Sequence, residues 1–216
     1  MKTKPDTSKS NLYDISPTIS EDIAVWPGDT PFSREWITRI STGSNIDLST
    51  MRTTVHLGAH ADAPSHYHAD GSSIDEVSLD PYLGPCYVVS TKDKPVVTAE
   101  SCKKAVELGF KRILFQTLSQ PDPEVFNTDF VAFSESAVEY MGKNGVVLIG
   151  IDTPSVDPFD SKELPAHQAL YKYKIRNLEG LVLSRVPEGS YELIALPLKL
   201  KGFDASPVRA ILRKLV

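Results

Sequence analysis

Residues 55–68 read VHLGAHADAPSHYH and hold four of the chain's five histidines, together with one aspartate and one proline. His56, His60, Asp62 and His66 stand at relative positions 0, 4, 6 and 10, all even offsets that a straight strand would place on one face. Distance defeats that reading. An extended chain rises about 3.3 Å per residue, so His56 and His60 would lie roughly 13 Å apart, too far to share an ion. A continuous helix brings the same two within about 6 Å but swings Asp62 off their face. Pro64 also disfavours helical geometry at Ala63. The segment is therefore expected to be a tight, kinked turn, in which Gly58, Ala59, Ala61 and Ala63 let the backbone fold closely while the larger polar groups converge. A histidine-bearing surface loop is the alternative, and the regular alternation of small residues with ligand types argues against it.

Convergent imidazoles and carboxylate make a metal site. Catalytic zinc takes three protein ligands and leaves a position for water, and neutral imidazole with carboxylate suits zinc or manganese better than an ion that prefers thiolates. His56, His60 and Asp62 fill that quota alone. The fifth histidine, His167, follows Asp152, Asp157 and Asp160 and precedes Glu179. With His167 and Glu179 added, the inventory exceeds the needs of one tetrahedral ion, and a carboxylate such as Asp62 can bridge two ions about 3.5–4 Å apart. His66, beyond the Pro64 kink, is then free to carry protons, since an ordinary imidazole titrates near pH 6.5. His68 is read as solvent-facing.

A chain of 216 residues with 41% hydrophobic and 24% charged residues is expected to bury one core without staples, as a single domain over residues 11–216 behind a disordered leader at 1–10. Acidic residues outnumber basic ones by five and no Lys/Arg block occurs, so nucleic acid is not an expected partner. Neither a signal-peptide pattern nor an apolar run of membrane-spanning length is present, which places the protein in the cytosol and away from membranes. Cys86 and Cys102 form no CxxC pair and read as reduced core thiols.

Runs rich in β-branched and aliphatic residues predict strands at 86–91, 112–117, 145–152, 180–184 and 191–200. Helical spacing appears over 99–110, 134–145 and 165–175. Strand, helix and strand alternate from 86 to 152, so the fold class is α/β with some parallel pairing; the closely spaced later strands make the sheet mixed or partly closed.

HLGAHADAPSH resembles the HxGTHxDxPxH signature of the cyclase-like metal hydrolase family. WPGDTPF, LDPYLGPC, GIDTPSVDPFDSKELPAHQA, LEGLVLS and YELIALPLKLKGFDASPVRAIL are similar to its bacterial kynurenine formamidase branch along nearly the whole chain after residue 11. The resemblance implies a swivelling β/β/α fold, a homodimer and a two-ion amidohydrolase, usually with zinc, that cleaves N-formyl-L-kynurenine to L-kynurenine and formate. It also implies His56 and His60 as ligands of the first ion, His167 of the second, Asp62 and Glu179 as the bridging carboxylates, His66 as proton donor and acceptor, and Trp26 against the substrate. In that scheme water acidified by the metal attacks the formyl carbonyl and His66 returns a proton to the departing aniline nitrogen. The broad signature has Thr where this chain has Ala59, which removes one hydroxyl from the ligands' surroundings.

Trp26, followed by Pro27 and Gly28, reads as an aromatic on a turn beside an aryl ring, whereas Phe32 and Trp36 read as ordinary packing. Arg52 and Lys199 are both candidates to pair with a substrate carboxylate, and nothing in the sequence selects either. Two other readings stay open: a hydrolase of the same family acting on another amide such as isatin, and a metal-binding protein without catalysis.

Overall fold

The structure, a computed structural model, describes residues 11–215; the expected leader lies outside the described residues. Among the described residues eleven strands form, in chain order β1 (Leu12–Asp14), β2 (Ser33–Thr38), β3 (Leu48–Arg52), β4 (His60–Asp62), β5 (Leu83–Ser90), β6 (Arg112–Gln116), β7 (Leu148–Ile151), β8 (Arg176–Glu179), β9 (Gly189–Ile194), β10 (Ala205–Pro207) and β11 (Ile211–Lys214). Three helices join them: α1 (Ala99–Glu107), α2 (Glu135–Lys143) and α3 (Pro165–Tyr173). Nine strands make one mixed sheet in the order β1-β11-β9-β5-β6-β7-β8-β4-β10, and β2 and β3 pair as a separate hairpin. The run β5-β6-β7-β8 is parallel, as strands joined by helical crossovers must be, and its flanks are antiparallel.

Alternation along the central strands sorts side chains to two cores. Ile113, Phe115, Ile149 and Ile151 face the helices, where they meet Cys102, Ala105, Val138, Met141 and Leu170. Leu114, Leu148 and Leu178 face the other way, against Tyr82, Leu193 and Leu212. The helices start where the sequence supplies a cap: the Ser134 hydroxyl accepts from Ala137 N, and Ser101 accepts from Thr98 N in a capping box. The sheet curls because residues 208–210 tie its two ends together: Val208 N donates to Ala59 O, and Ile15 N to Ala210 O.

The α/β class and the parallel run at 86–152 agree with the sequence reading, and three expectations are corrected. The strand expected at 180–184 is a loop, and its place is taken by β8, whose sequence RNLE conceals it because Asn177 and Glu179 are polar residues buried for the site. The strand expected at 191–200 ends at Ile194, where Ala195 N turns to Tyr82 O and Pro197 follows. The histidine segment is not one tight turn. Two kinks, at Gly58 (φ 56°) and at the 3-10 turn Pro64–His66, bracket the short strand β4.

Candidate metal centre

β4 sits between β8 and β10, so its side chains lie beside those of both. His60 is opposite Glu179, and Asp62 is opposite Ala205. The Gly58 kink returns His56 to the same face: a left-handed residue there breaks the extended spacing that would have carried it away. Gly180, also at positive φ (63°), lies so near that a side-chain carbon on it would run into the Gly58 carbonyl. α3 delivers His167 from the opposite side. Its first turn is held by Asp157, whose carboxylate accepts from Ala166 N (2.9 Å) and His167 N (3.0 Å).

Each of these three imidazoles has one nitrogen engaged and the other aimed inward. His60 Nδ1 meets Gly58 O at 2.9 Å, His167 Nδ1 meets Asp157 Oδ2 at 2.7 Å, and His56 Nε2 meets Asp204 Oδ2 at 3.0 Å. The inward nitrogens face two carboxylates. His60 Nε2 stands 3.5 Å from Asp62 Oδ1 and 3.4 Å from Glu179 Oε2; His167 Nε2 stands 3.5 Å from Asp62 Oδ2 and 3.5 Å from Glu179 Oε1. His56 Nδ1 is 3.0 Å from Asp62 Oδ1. Asp62 and Glu179 thus turn one oxygen to the His60 side and the other to the His167 side.

These residues fit divalent cations. His60 Nε2 and His167 Nε2 are buried without a hydrogen-bond partner, a costly state for polar atoms. Two ligand atoms about 2.0–2.1 Å from one tetrahedral ion lie about 3.3–3.4 Å apart, which matches the 3.4–3.5 Å separations here and is too long for good hydrogen bonds. Among the described residues, His56, His60 and Asp62 form one group able to hold an ion, and Asp62, His167 and Glu179 another.

Burial opposes the charges on His56, His167, Asp62 and Glu179, and their neighbours overrule it. His56 is raised to about 9 by Asp62 and Asp204 against burial, and His167 is held well above its usual value by Asp157, Asp62 and Glu179 against burial. Burial pushes the Asp62 carboxyl up, yet the imidazoles of His167 and His56 hold it well below the usual range; Glu179 is also lowered, by His167 and His60 against burial and Asp62.

His66 lies above this cluster, its ring centroid 4.1 Å from that of His56 and 6.1 Å from that of His167, and burial lowers its pKa. It stands in neither of these two groups, and with His56 and Asp204 it forms a third whose ligand atoms lie close enough to hold an ion. A cavity of about 570 Å³ opens from His66 and is lined by Trp26, Leu118, Phe126, Leu164 and Phe203. Trp26 packs edge-on to Phe126 (centroids 5.4 Å) and tilted to Phe159 (5.0 Å). Trp36 lies instead on the hairpin under Arg34 and Arg39, and neither Phe32, Arg52 nor Lys199 lines the cavity. His68 is not solvent-facing as expected: it is half-buried and stacks on Tyr171 of α3 at 3.6 Å, because the turn after Pro64 carries it onto the helix.

A family model described as a putative cyclase matches residues 13–158, more than half of the chain. The chain belongs to the putative cyclase family. Its sequence is 47% identical over 205 residues to the kynurenine formamidase of Delftia acidovorans, covering 94% of this chain and 98% of that protein. A predicted metal-dependent hydrolase from Bacillus stearothermophilus superposes with a TM-score of 0.78 at 28% identity, covering 93% and 97% of the two chains. An isatin hydrolase bound to thioisatinate superposes at 0.80 with 20% identity over 94% and 92%, a likeness of fold. The matched cyclase segment includes His56, His60, Asp62 and His66, while His167 and Glu179 lie beyond it.

Two cyclase residues at the site carry roles that the sequence reading did not assign. Asn177 Nδ2 donates to both bridging carboxylates, at 2.6 Å to Asp62 Oδ2 and 3.1 Å to Glu179 Oε1. Asp204, from the β9–β10 connection, reaches His56. Asn177 is signalled only by its place two residues before Glu179, where strand alternation puts it on the same face; Asp204 lies in the GFDASPVRA run quoted for the family resemblance, but only the β4–β10 pairing brings it near His56.

Proposed function

We propose that this chain is a metal-dependent kynurenine formamidase that hydrolyses N-formyl-L-kynurenine to L-kynurenine and formate. The observation that carries the reading is the shared placement of Asp62 and Glu179, each with one oxygen toward His60 and one toward His167, beneath a proton-carrying imidazole at the mouth of an aromatic-lined cavity. Full-length similarity to the Delftia acidovorans formamidase supports the choice of substrate.

His56, His60 and Asp62 would hold the first ion and His167 the second, with Asp62 and Glu179 shared between them; two zinc ions are our assignment, with manganese compatible with the same donors. Bound divalent ions supply an acidified water and a Lewis acid for the carbonyl oxygen. The protein's own residues do the rest. Trp26, Phe126 and Leu118 exclude water and hold the aryl ring, so that the formyl group projects toward the carboxylates. His66, its side chain 35% exposed toward the cavity, accepts a proton at an open ring nitrogen as water adds to the carbonyl. It then delivers that proton to the aniline nitrogen as the C–N bond breaks, leaving formate and the free amine.

We also read the protein as a homodimer in the cytosol. The β2–β3 hairpin exposes Ile37, Ile40 and Met51, a surface suited to a second copy, and Cys86 and Cys102 are buried and unpaired, as suits a reducing compartment. Among the described residues, no helix is long and apolar enough to cross a membrane. The deciding assay compares kcat/KM for N-formyl-L-kynurenine and isatin on one preparation. Preference for the formamide by about 100-fold or more supports the assignment; preference for isatin overturns it.

A further inference from the structure

All three inward-facing histidines are steered by an acceptor on the outer ring nitrogen. For His60 it is a backbone carbonyl and for His167 a buried carboxylate; for His56 it is Asp204, whose side chain is 49% exposed at the cavity mouth. The Asp204 backbone is fixed in register with the site. Its carbonyl accepts from Ala63 N at 2.8 Å, the preceding carbonyl of Phe203 accepts from Ile74 N at 2.8 Å, and the next residue, Ala205, lies opposite Asp62. From that anchorage one oxygen, Oδ2, faces two rings: 3.0 Å to His56 Nε2, a hydrogen bond, and 3.6 Å to His66 Nδ1, a close polar contact just beyond hydrogen-bond length.

We propose that Asp204 is a positioning residue that fixes the tautomer and aim of His56 and sets the orientation of His66, so that one carboxylate aligns a metal ligand with the proton carrier. The inference rests on the hydrolase reading above and extends it to a residue outside the ligand set. As Asp204 accepts from His56 Nε2–H, the Nδ1 lone pair is left facing Asp62, where an ion would sit. Without that acceptor the ring, with 17% of its side chain exposed, is free to turn and to move its proton to the inward nitrogen. The neighbouring His66 ring, tilted 41° to that of His56, loses the same anchor. Asp204 binds no substrate in this scheme. Its effect passes through the two imidazoles.

The test is a double-mutant cycle between Asp204→Ala and His56→Ala, read by zinc competition against a chromogenic chelator and by kcat and KM for the formamide. Asp204→Ala is expected to weaken zinc binding about 10–100-fold. It should also lower kcat while KM stays within about threefold. In the His56→Ala background it should cost less than about threefold more in zinc affinity. Asp204→Asn keeps an acceptor oxygen and should restore most of the binding. Unchanged zinc affinity in Asp204→Ala, or the full loss repeated in the His56→Ala background, overturns the proposal. If the unsubstituted protein bound zinc but did not turn over the formamide, the functional reading would fail, and zinc competition would still decide the role of Asp204.

Discussion

Asp157 is buried, and its carboxylate holds the first turn of α3 and the ring of His167 at once. In Asp157→Ala the backbone N–H groups of Ala166 and His167 lose their acceptor inside the protein, as does His167 Nδ1. A buried donor left unsatisfied costs about 1–3 kcal/mol, so two backbone donors together put the expected loss at about 2–6 kcal/mol. For a chain of this size that lowers Tm by roughly 4–24 °C. The assay is denaturant unfolding of protein stripped of metal by a chelator, so that loss of an ion does not contribute to the change. His167 also loses the partner that orients it, and affinity at the second ion site should fall about 10–100-fold. A stability loss below about 1 kcal/mol would refute the reasoning, because it would mean that these donors find other partners.

His66→Ala should retain bound metal and lose at least about 100-fold in kcat, as metal analysis and steady-state kinetics on one preparation would show. Gly180→Ala places a carbon against the Gly58 carbonyl that steers His60, at a backbone angle that costs a non-glycine residue about 1 kcal/mol or more; lower Tm and weaker zinc binding should appear together. Zinc affinity should rise with pH. In the ion-free protein His56 is raised to about 9, above its unfolded value, so its proton stabilises the fold fully below about pH 6.5, and that contribution is lost as pH passes through 9. An ion at the His56 site must displace the same proton, so competition titrations of that site should show affinity climbing by up to about tenfold per pH unit below 9. A flat profile from pH 7 to 9 would contradict this.

Most residues of the candidate site were legible because they are chemically conspicuous: His56, His60, Asp62 and His66 crowd one short segment, although the fourth histidine there, His68, stacks on Tyr171 instead. The geometry was less legible. Spacing ruled out an unbroken strand or helix at 56–66, yet only the sheet shows that kinks at Gly58 and Pro64 flank a strand whose partner carries Glu179. β8 escaped notice because a strand is recognised by its apolar residues, and Arg176, Asn177 and Glu179 supply polar ones. The parallel run β5-β6-β7 was clear, since strands buried on both faces read as continuous apolar runs. Asp204 lies 148 positions from His56, and a contact of that span depends on strand pairing that neither local sequence encodes.

The central claim is that the histidines and carboxylates of β4, β8 and α3 hold divalent ions on which hydrolysis depends. Its most direct test records N-formyl-L-kynurenine hydrolysis while zinc is titrated into chelator-stripped protein. The predicted trace starts near zero, rises with bound metal and saturates at two zinc ions per chain. Full activity in the stripped protein, or saturation without any zinc bound, would contradict it.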